Sequence, residues 1–380
     1  MAGVRDRKSV EHSSPEDPRF LPLEVRAPTP DSRCVEASLS SLVDETTPTN
    51  RFFIRSHFAV PRLTREDWRL SIEGEVEHPT VLTYEDLQGL PHRDLVATLE
   101  CAGNSRLTVR PKPEGVLWGH GAVSTGHWRG VPLWMVLERA GLRSSVAEIV
   151  LQGADRGSEP GVEGELRYEM SVDLAKALHP DTLLVDQMNG EPLTPHHGFP
   201  VRVVVPGYYG MASVKWLVRI EALDHPFRGY FRDRAYAYIR EGQRTGEPRP
   251  PATTMRVKSL VTWPREGQVL ATGPHVIRGA AWSGETPIIR VDVSVSPHHG
   301  GGEVWRTARL FPGSTRHAWT HWEFLCEVSE PGFYIIRSRA TDENGNTQPV
   351  EADWNFRGLG NNSIHCVPVE VRPGGPPDIE

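Results

Sequence analysis

The chain has 380 residues, of which 38% are hydrophobic and 24% are charged, and its formal net charge is −7. This acidic balance argues against a general nucleic-acid binder, which normally carries an excess of basic residues. No apolar stretch approaches the ~18 residues of a membrane-spanning helix. The length favours two domains, because one small core rarely organises a chain of this size.

The N-terminal segment and the cysteines bear on the cellular compartment. The opening MAGVRDRKSVEHSSPEDPRF has neither a hydrophobic core nor a twin-arginine pair, so no secretory signal is expected. Cys34, Cys101, Cys326 and Cys366 form no CxxC or CxxCH motif, which argues against a zinc ribbon and a covalently attached c-type haem. Such isolated thiols suggest a cytoplasmic protein. All except Cys101 are interpreted as small buried hydrophobic residues.

The first half of the chain mixes helix-like and strand-like segments. Residues 1–50 are polar and proline-rich, which predicts an extended N-terminal arm, and residues 51–240 form the predicted first domain. Thr83, followed by acidic residues, is typical of a helix N-cap. Apolar residues share one helical face in Leu133–Ala140, and the β-branched run Val201–Val205 is typical of a buried strand. We therefore expect a mixed α/β domain.

The second half has a different periodicity. Residues 241–252 lack apolar anchors and are predicted to be a linker, which leaves residues 253–380 as a second domain. Within that domain, apolar and polar residues alternate from Ile289 to Val295, from Trp322 to Val328 and from Phe333 to Arg339. Several short strands of this kind predict an immunoglobulin-like β-sandwich. The predicted fold class of the whole chain is α+β.

The segment ATLECAGNSR, residues 97–106, carries the strongest chemical signal. An apolar, strand-like approach ends at Cys101, and small residues follow it. A thiolate at the end of a strand, in a loop that a bulky ligand can approach, suits the binding of a soft metal. An isolated internal cysteine is more often a small buried hydrophobic residue, so the segment gains its meaning from the rest of the chain.

Five segments resemble the sulfite oxidase family, and they occur in the family's order. They are Phe52–His57, the segment around Cys101, Asn189–Leu193 with His197–Arg202 after it, Gly207–Trp216, and Trp354–Gly358. The resemblance implies a molybdopterin-binding domain followed by a dimerisation sandwich. It also implies a homodimer, and Cys101 as the protein ligand to molybdenum.

The resemblance further implies which residues contact the cofactor. The pterin would be bound by Phe53, Ile54, Arg55, Ser56 and His57, with Asp155 as a further pterin-binding acid. The phosphate of the cofactor would be held by His197, Arg202, Ser213, Val214 and Lys215. A dianionic phosphate favours a planar guanidinium, an ammonium and exposed backbone N–H groups, which agrees with this set.

A substrate pocket for a small oxyanion is implied by five other matches. Three arginines that lie far apart in sequence fall at positions that the family uses for this pocket, with a tryptophan as its wall and a tyrosine beside the metal. These residues are Arg55, Arg106, Arg357, Trp118 and Tyr236. Tyr238 competes with Tyr236 if the local alignment shifts by two residues. Because Arg357 belongs to the second domain, we expect the pocket at the domain junction.

The implied activity is the oxidation of sulfite to sulfate by oxygen-atom transfer, with electrons passed to oxygen, a cytochrome or another acceptor. The family's animal members carry a haem domain that has no counterpart in this sequence, so no haem is expected. Ser56 and Ser105 depart from the Asn and Arg common in the family, which bears on substrate range. Two alternatives remain: a reductase of a sulfoxide or other oxyanion with the same cofactor, and a non-catalytic dimeric binding protein.

Overall fold

A computed structural model describes residues 21–243, 247, 249–284, 286–299 and 302–374. The first thirteen strands belong to the N-terminal part and the first domain. They are β1 (Leu23–Glu24), β2 (Arg33–Glu36), β3 (Ile54–Ser56), β4 (Arg69–Gly74), β5 (Thr80–Thr83), β6 (Arg93–Glu100), β7 (Val123–Pro132), β8 (Glu148–Gly157), β9 (Leu166–Asp173), β10 (Leu183–Met188), β11 (Glu191–Pro192), β12 (Arg202–Val204) and β13 (Leu217–Leu223).

Three sheets organise these strands. The first has the order β1-β2-β3, the second β11-β10-β7-β6 with β12 also paired to β10, and the third β5-β4-β13-β8-β9. Strand β6 pairs with β7 in antiparallel register, from Arg93 opposite Gly130 to Glu100 opposite Val123. The side chains of Ala97 and Leu99 on β6 are buried, so the strand approaches Cys101 through the protein interior.

Helices are short and few in the described residues, as expected for an α+β protein dominated by sheet. They are α1 (Tyr84–Gln88), α2 (Leu133–Ala140) and α3 (Leu174–Ala177). Thr83 caps α1, and its side chain and that of Asp86 form a capping box. Helix α2 ends at Gly141, whose φ of 69° is readily adopted only by glycine. Both helices agree with the sequence prediction.

The described part of the N-terminal segment contributes to the first sheet. Strand β2 pairs with β3, which lies beyond the predicted boundary at residue 50. Cys34 is only 1% exposed, and Leu42 is completely buried in the main core. This segment therefore lines part of the first domain's interior. Residues 1–20 lie outside the described residues, and the boundary itself remains a prediction.

The second domain is a sandwich of two sheets. Its strands are β14 (Lys258–Trp263), β15 (Val269–Ala271), β16 (Gly273–Trp282), β17 (Ile288–Pro297), β18 (Trp305–Thr307), β19 (Arg309–Phe311), β20 (Thr320–Val328), β21 (Gly332–Asp342) and β22 (His365–Arg372). One sheet has the order β14-β16-β20-β19, and the other has the order β15-β22-β21-β17-β18. Side chains from both sheets form a common core. The predicted β-sandwich is confirmed.

Two details of the second domain differ from the sequence-based expectation. A register shift between Ile288 and Arg290 leaves Ile289 56% exposed, although the alternating pattern placed it inside. A bulge of this kind adds one residue to the strand and reverses the facing of the side chains beyond it. Cys366 is exposed, so its interpretation as a buried residue was wrong.

The two domains share one hydrophobic cluster. Leu260, Ala280 and Trp282 from the sandwich pack in the same core as the first-domain strands. This shared core brings the sandwich against the end of β6, where Cys101 lies. Across the described part of the chain, no helix has the length and apolar character needed to cross a membrane.

Candidate active site

Cys101 lies immediately after β6 at the bottom of a buried loop. Its backbone N–H donates to the carbonyl of Ala122 at 2.9 Å, and its carbonyl accepts from Asn104 N–H at 2.9 Å. Burial raises the pKa of the Cys101 thiol, while the Arg106 charge and a hydrogen bond from Gly103 N–H act in the opposite direction. Such a thiol is inert in an empty pocket, but a soft metal would stabilise its thiolate form.

A cavity of about 690 Å³, a volume that includes the solvent at its mouth, lies beside Cys101. Most residues with a predicted cofactor role line it: Phe53, Ile54, Arg55, Ser56, His57, Asp155, His197, Arg202, Ser213 and Lys215, together with Tyr236. The remaining residue of that group, Val214, is buried and pairs through its backbone carbonyl with Val203 N–H at 2.8 Å.

Two cationic groups line the cavity close to each other, the buried Arg202 and the partly buried Lys215. Arg202 donates to the carbonyls of His197 and Ser213 at 3.1 and 3.0 Å. Lys215 Nζ donates to Ser56 Oγ and to the carbonyl of His196, both at 2.9 Å. Burial lowers the pKa of Arg202 to about 9, and burial followed by the Arg202 charge lowers the pKa of Lys215. A bound anion would reverse these shifts and keep both groups charged.

Two buried polar atoms in the cavity wall have no hydrogen-bond partner among the described residues. These atoms are Asp155 Oδ1 and His196 Nδ1. Burial raises the pKa of Asp155, while the nearby charge of Lys215 opposes the rise. Buried polar atoms are nearly always paired in folded proteins, so each unpaired atom calls for an explanation. A polar ligand in the cavity would supply the missing partners.

Another part of the cavity lining holds a hydrogen-bonded group around His57. Its Nε2 lies 2.7 Å from Tyr236 Oη, and its Nδ1 lies 3.0 Å from Arg55 Nη2 and 3.1 Å from Glu159 Oε1. Burial, followed by the Arg55 charge, lowers the pKa of His57 to about 3, so the ring is neutral. A neutral Nδ1 can either accept from Arg55 or donate to Glu159, which makes two tautomers accessible.

The other three predicted pocket residues lie beside the cavity and do not line it. Arg106 donates to the carbonyls of Val116 and Arg357, both at 2.7 Å, and therefore joins the two domains. Its guanidinium packs under Gly103, where an added Cβ would lie 2.6 Å from Arg106 Nη2. Trp118 is 1% exposed and packs in the core behind Cys101. The side chain of Arg357 is 32% exposed.

Comparison with known proteins identifies the family. The model of an oxidoreductase molybdopterin binding domain matches residues 57–231, and that of a Mo-co oxidoreductase dimerisation domain matches residues 249–372. Sulfite oxidase of Gallus gallus is 35% identical over 338 residues, which cover 84% of this chain and 72% of that protein. The chain belongs to the sulfite oxidase family.

Other relatives extend over most of the chain. Mitochondrial sulfite oxidase of Rattus norvegicus is 35% identical over 347 residues, which cover 86% of the chain but only 62% of the relative. A nitrate reductase [NADH] of Phaseolus vulgaris is 33% identical over 356 residues, which cover 86% of the chain and 39% of that enzyme. The solved sulfane dehydrogenase SoxCD of Paracoccus pantotrophus superposes with a TM-score of 0.78 at 27% identity, covering 96% and 94% of the two chains.

The cavity fits a molybdopterin. It offers one thiol, the neighbouring cations Arg202 and Lys215, and two unpaired polar atoms, which match a metal, a phosphate and the hydrogen-bonding edge of a pterin. No group of three or more His, Cys, Asp or Glu side chains suitable for a metal occurs in the described residues.

Two residues close to His57, which lines the cavity, were not predicted from the sequence. Tyr168 stacks on the His57 ring with a centroid distance of 5.3 Å and donates its hydroxyl to the carbonyl of Met211 at 2.9 Å. Glu159 lies between β8 and β9 and reaches the same histidine. Neither residue stands in a recognisable motif, since both reach the site through long-range folding of the β8–β9 hairpin.

Three buried histidines are expected to make the cofactor-free protein sensitive to acid. Burial lowers the pKa of His57 and His197 to about 3 and that of His365 to about 4, against 6.5 normally. Below pH 6.5 the histidines bind protons in the unfolded chain but not in the native protein. The free energy of unfolding is therefore fully present above pH 6.5 and decreases as the pH falls toward 4. Each histidine should lower the free energy of unfolding by about 1.4 kcal/mol for each pH unit below 6.5.

Urea unfolding of the apoprotein between pH 7 and pH 4.5 measures this loss. A His365→Asn variant should show a shallower fall than the wild type, because one group that binds a proton only in the unfolded state is gone. His298 is exposed and provides the control. Equal slopes for wild type and His365→Asn would contradict the assignment.

Proposed function

We propose that the protein oxidises sulfite to sulfate with a molybdenum cofactor bound through Cys101. The observation that carries the proposal is the convergence of a buried thiol, an arginine and a tyrosine on one cavity, formed by Cys101, Arg55 and Tyr236. The similarity to sulfite oxidases over most of the chain supports it. When bound, the cofactor supplies two-electron redox chemistry and oxygen-atom exchange.

The buried cations have a binding role in this proposal. Arg202 and Lys215 hold the cofactor phosphate, helped by the backbone around Ser213 and Val214 and by the ring of His197. Asp155 and the segment Phe53–His57 bind the pterin. This arrangement explains why two cationic groups lie side by side in the cavity wall at a cost in solvation free energy.

Arg55 holds the substrate in the cavity. Sulfite is a small dianion, and a planar guanidinium in a largely buried site binds it strongly. Arg106 and Arg357 lie just behind the cavity, joined by a hydrogen bond of 2.7 Å, and add positive potential. Trp118 supports the loop from below. These fixed cations would offset negative charge that develops at the site during oxidation.

Tyr236, His57 and Glu159 provide a route for protons. Oxidation of sulfite by water yields sulfate, two protons and two electrons, so protons must leave the site. Burial raises the pKa of Tyr236, which keeps its hydroxyl protonated and able to donate to His57 Nε2. In that tautomer His57 Nδ1–H donates to Glu159, whose side chain is 14% exposed. A change of tautomer moves the proton one step towards solvent.

Replacing Tyr236 with phenylalanine tests this route. We expect kcat to fall about 10- to 100-fold, because a positioned acid or base contributes at least that much. KM for sulfite should change less than threefold, since Arg55 remains. Steady-state kinetics with ferricyanide measure both constants. Tyr230→Phe, which changes a half-buried tyrosine outside the cavity lining, is the control. An unchanged kcat for Tyr236→Phe would eliminate the route.

The wider setting follows from the same proposal. Electrons leave to an external acceptor such as oxygen or a cytochrome, and no haem on this chain is needed. The sandwich joins two chains in a homodimer, in accord with the dimerisation-domain model that matches it. We place the protein in the cytoplasm, on the grounds of its isolated cysteines.

A second function is supported by the similarity to nitrate reductases. With the same cofactor bound, this site would reduce a sulfoxide, nitrate or another oxyanion. Activity assays on purified protein with a full complement of molybdenum distinguish the sulfite-oxidising function from the reductase function. We expect sulfite-dependent reduction of ferricyanide, with cytochrome c and oxygen tested in parallel. Turnover with nitrate or a sulfoxide and a reduced viologen dye, in the absence of sulfite oxidation, would overturn the first proposal.

A further inference from the structure

A buried ion pair lies behind the Cys101 loop, at the junction of the two domains. Lys258, the first residue of β14, and Glu100, the last residue of β6, are each 2% exposed. Lys258 Nζ lies 3.0 Å from Glu100 Oε1. None of the functions derived above uses this pair.

Every polar atom of the pair has a partner. The Lys258 ammonium also donates to Ser105 Oγ at 2.9 Å and to the carbonyl of Asn361 at 2.8 Å, which satisfies its three N–H groups. Glu100 Oε1 accepts in addition from Asn104 Nδ2 at 3.0 Å, and its Oε2 accepts from Trp282 Nε1 at 2.9 Å. Such complete satisfaction makes the geometry of the group rigid.

The hydrogen-bond partners of the ion pair come from two places, the Cys101 loop and the sandwich. Glu100, Asn104 and Ser105 belong to the segment that carries Cys101, whereas Lys258 and Trp282 lie beyond the predicted linker. Asn104 N–H donates to the Cys101 carbonyl, and Asn104 Oδ1 accepts from Ala122 N–H at 3.1 Å. Lys258 of the second domain is therefore connected to the backbone carbonyl of Cys101 through three successive hydrogen bonds, by way of Glu100 and Asn104.

The loop itself has an unusual backbone that needs support. Ser105 has a φ of 67°, in the left-handed region that non-glycine residues rarely adopt. Its carbonyl accepts from Asn361 Nδ2 at 2.9 Å, and its hydroxyl is held by Lys258 and by His120 Nδ1 at 2.8 Å. Lys258 and Asn361 of the sandwich, together with His120 of the first domain, thus provide contacts that keep this conformation.

Stability alone does not account for the pair. Apolar side chains of similar volume are commonly as stabilising as a buried ion pair, because two charges lose their hydration. What a fully bonded ion pair adds is a single, specified arrangement of the elements it joins. Here those elements are the Cys101 loop and the sandwich.

We propose that Lys258 is a positioning residue through which the second domain fixes the Cys101 loop for metal binding. The sandwich then has a role in the metal centre of its own chain, separate from joining two chains. This inference rests on the proposed cofactor site at Cys101. It does not depend on which substrate the enzyme oxidises.

The test compares Lys258→Met with a variant that removes a different ion pair between the two domains. Methionine matches the lysine side chain up to Cε and removes the ammonium with its charge and donors. His317→Ala is the control, because His317 Nε2 of the sandwich pairs with Asp181 Oδ2 of the first domain at 3.0 Å, and both side chains are at most 12% exposed. The double variant Glu100→Gln/Lys258→Met restores neutrality without restoring the contacts to Ser105 and Asn361.

Four quantities are measured on each holoprotein: molybdenum and pterin per chain, the paramagnetic resonance spectrum of the half-reduced metal, kcat with KM, and Tm. For Lys258→Met we expect a changed spectrum, a 10- to 100-fold loss in kcat or metal retention, and an almost constant KM. His317→Ala should lower Tm and leave the spectrum unchanged. The double variant should recover most of the Tm, which keeps the test valid if the single variant folds poorly, yet retain the altered spectrum.

The inference is overturned by either of two results. One is a wild-type spectrum and metal content in Lys258→Met or in the double variant. The other is an equal spectral change in His317→Ala, which would show a general effect of loosening the domain junction. A wild-type protein that holds molybdenum but does not oxidise sulfite would contradict the proposed substrate while leaving this comparison intact.

Discussion

Cys101→Ser is expected to lower kcat for sulfite oxidation by about a thousandfold or more, equivalent to at least about 4 kcal/mol of activation free energy. Serine keeps the size of the side chain, but an alkoxide is a poor ligand for a soft metal and does not form readily at neutral pH. The loss should appear in kcat per bound metal, because the redox chemistry depends on the ligands of the metal. Steady-state kinetics normalised to molybdenum content measure it.

Cys34 provides a matched control for this change. It is 1% exposed and lies on β2, outside the cavity lining, and burial raises the pKa of its thiol. Cys34→Ser should lose some stability and keep kcat per metal within about threefold. Comparable activity losses in the two variants would show that general damage to the core, and not ligation by Cys101, explains the effect.

Arg55→Met should raise KM for sulfite about 100-fold and lower kcat less than tenfold. The guanidinium is the only cationic group of the predicted oxyanion set that lines the cavity in the described residues, so its removal weakens ground-state binding first. A loss of about 2.7 kcal/mol agrees with the removal of a charge-assisted bidentate contact in a buried site. The two constants are measured at fixed ionic strength, because anion binding depends on screening.

Arg232→Met is the companion to this variant. Arg232 is 17% exposed and pairs with Glu148 at 3.1 Å, away from the cavity lining. Its loss should reduce stability and leave KM unchanged. If Arg55→Met instead lowered kcat and kcat/KM equally at constant KM, Arg55 would act in the transition state alone, contrary to the binding role proposed here.

The parts of the site that the sequence predicted are those that short contiguous segments carry. Phe53–His57 and the Cys101 segment each enter the cavity as a unit, because a strand and the loop after it place neighbouring residues together. The helix at Thr83 and the sandwich strands were likewise predicted from local pattern. Local periodicity and capping depend on residues only a few positions apart, which a single sequence displays.

Contacts between residues far apart in the sequence could not be predicted from local pattern. Glu159 and Lys258 take part in the network around the cavity through partners 102 and 158 positions away in the chain. Trp118 and Arg106 were predicted as pocket residues, yet one packs in the core and the other bonds to backbone carbonyls. Tertiary packing, and not local pattern, decides which way such side chains point.

Metal ligation by the Cys101 sulfur is the central claim, and X-ray absorption at the molybdenum edge tests it most directly. Wild-type protein and Cys101→Ser are loaded in the same cofactor-competent host and brought to equal metal content. The wild-type spectrum should require one more sulfur neighbour than that of the variant. Equal numbers of sulfur neighbours in the two spectra, or wild-type protein that takes up no molybdenum, would contradict the account.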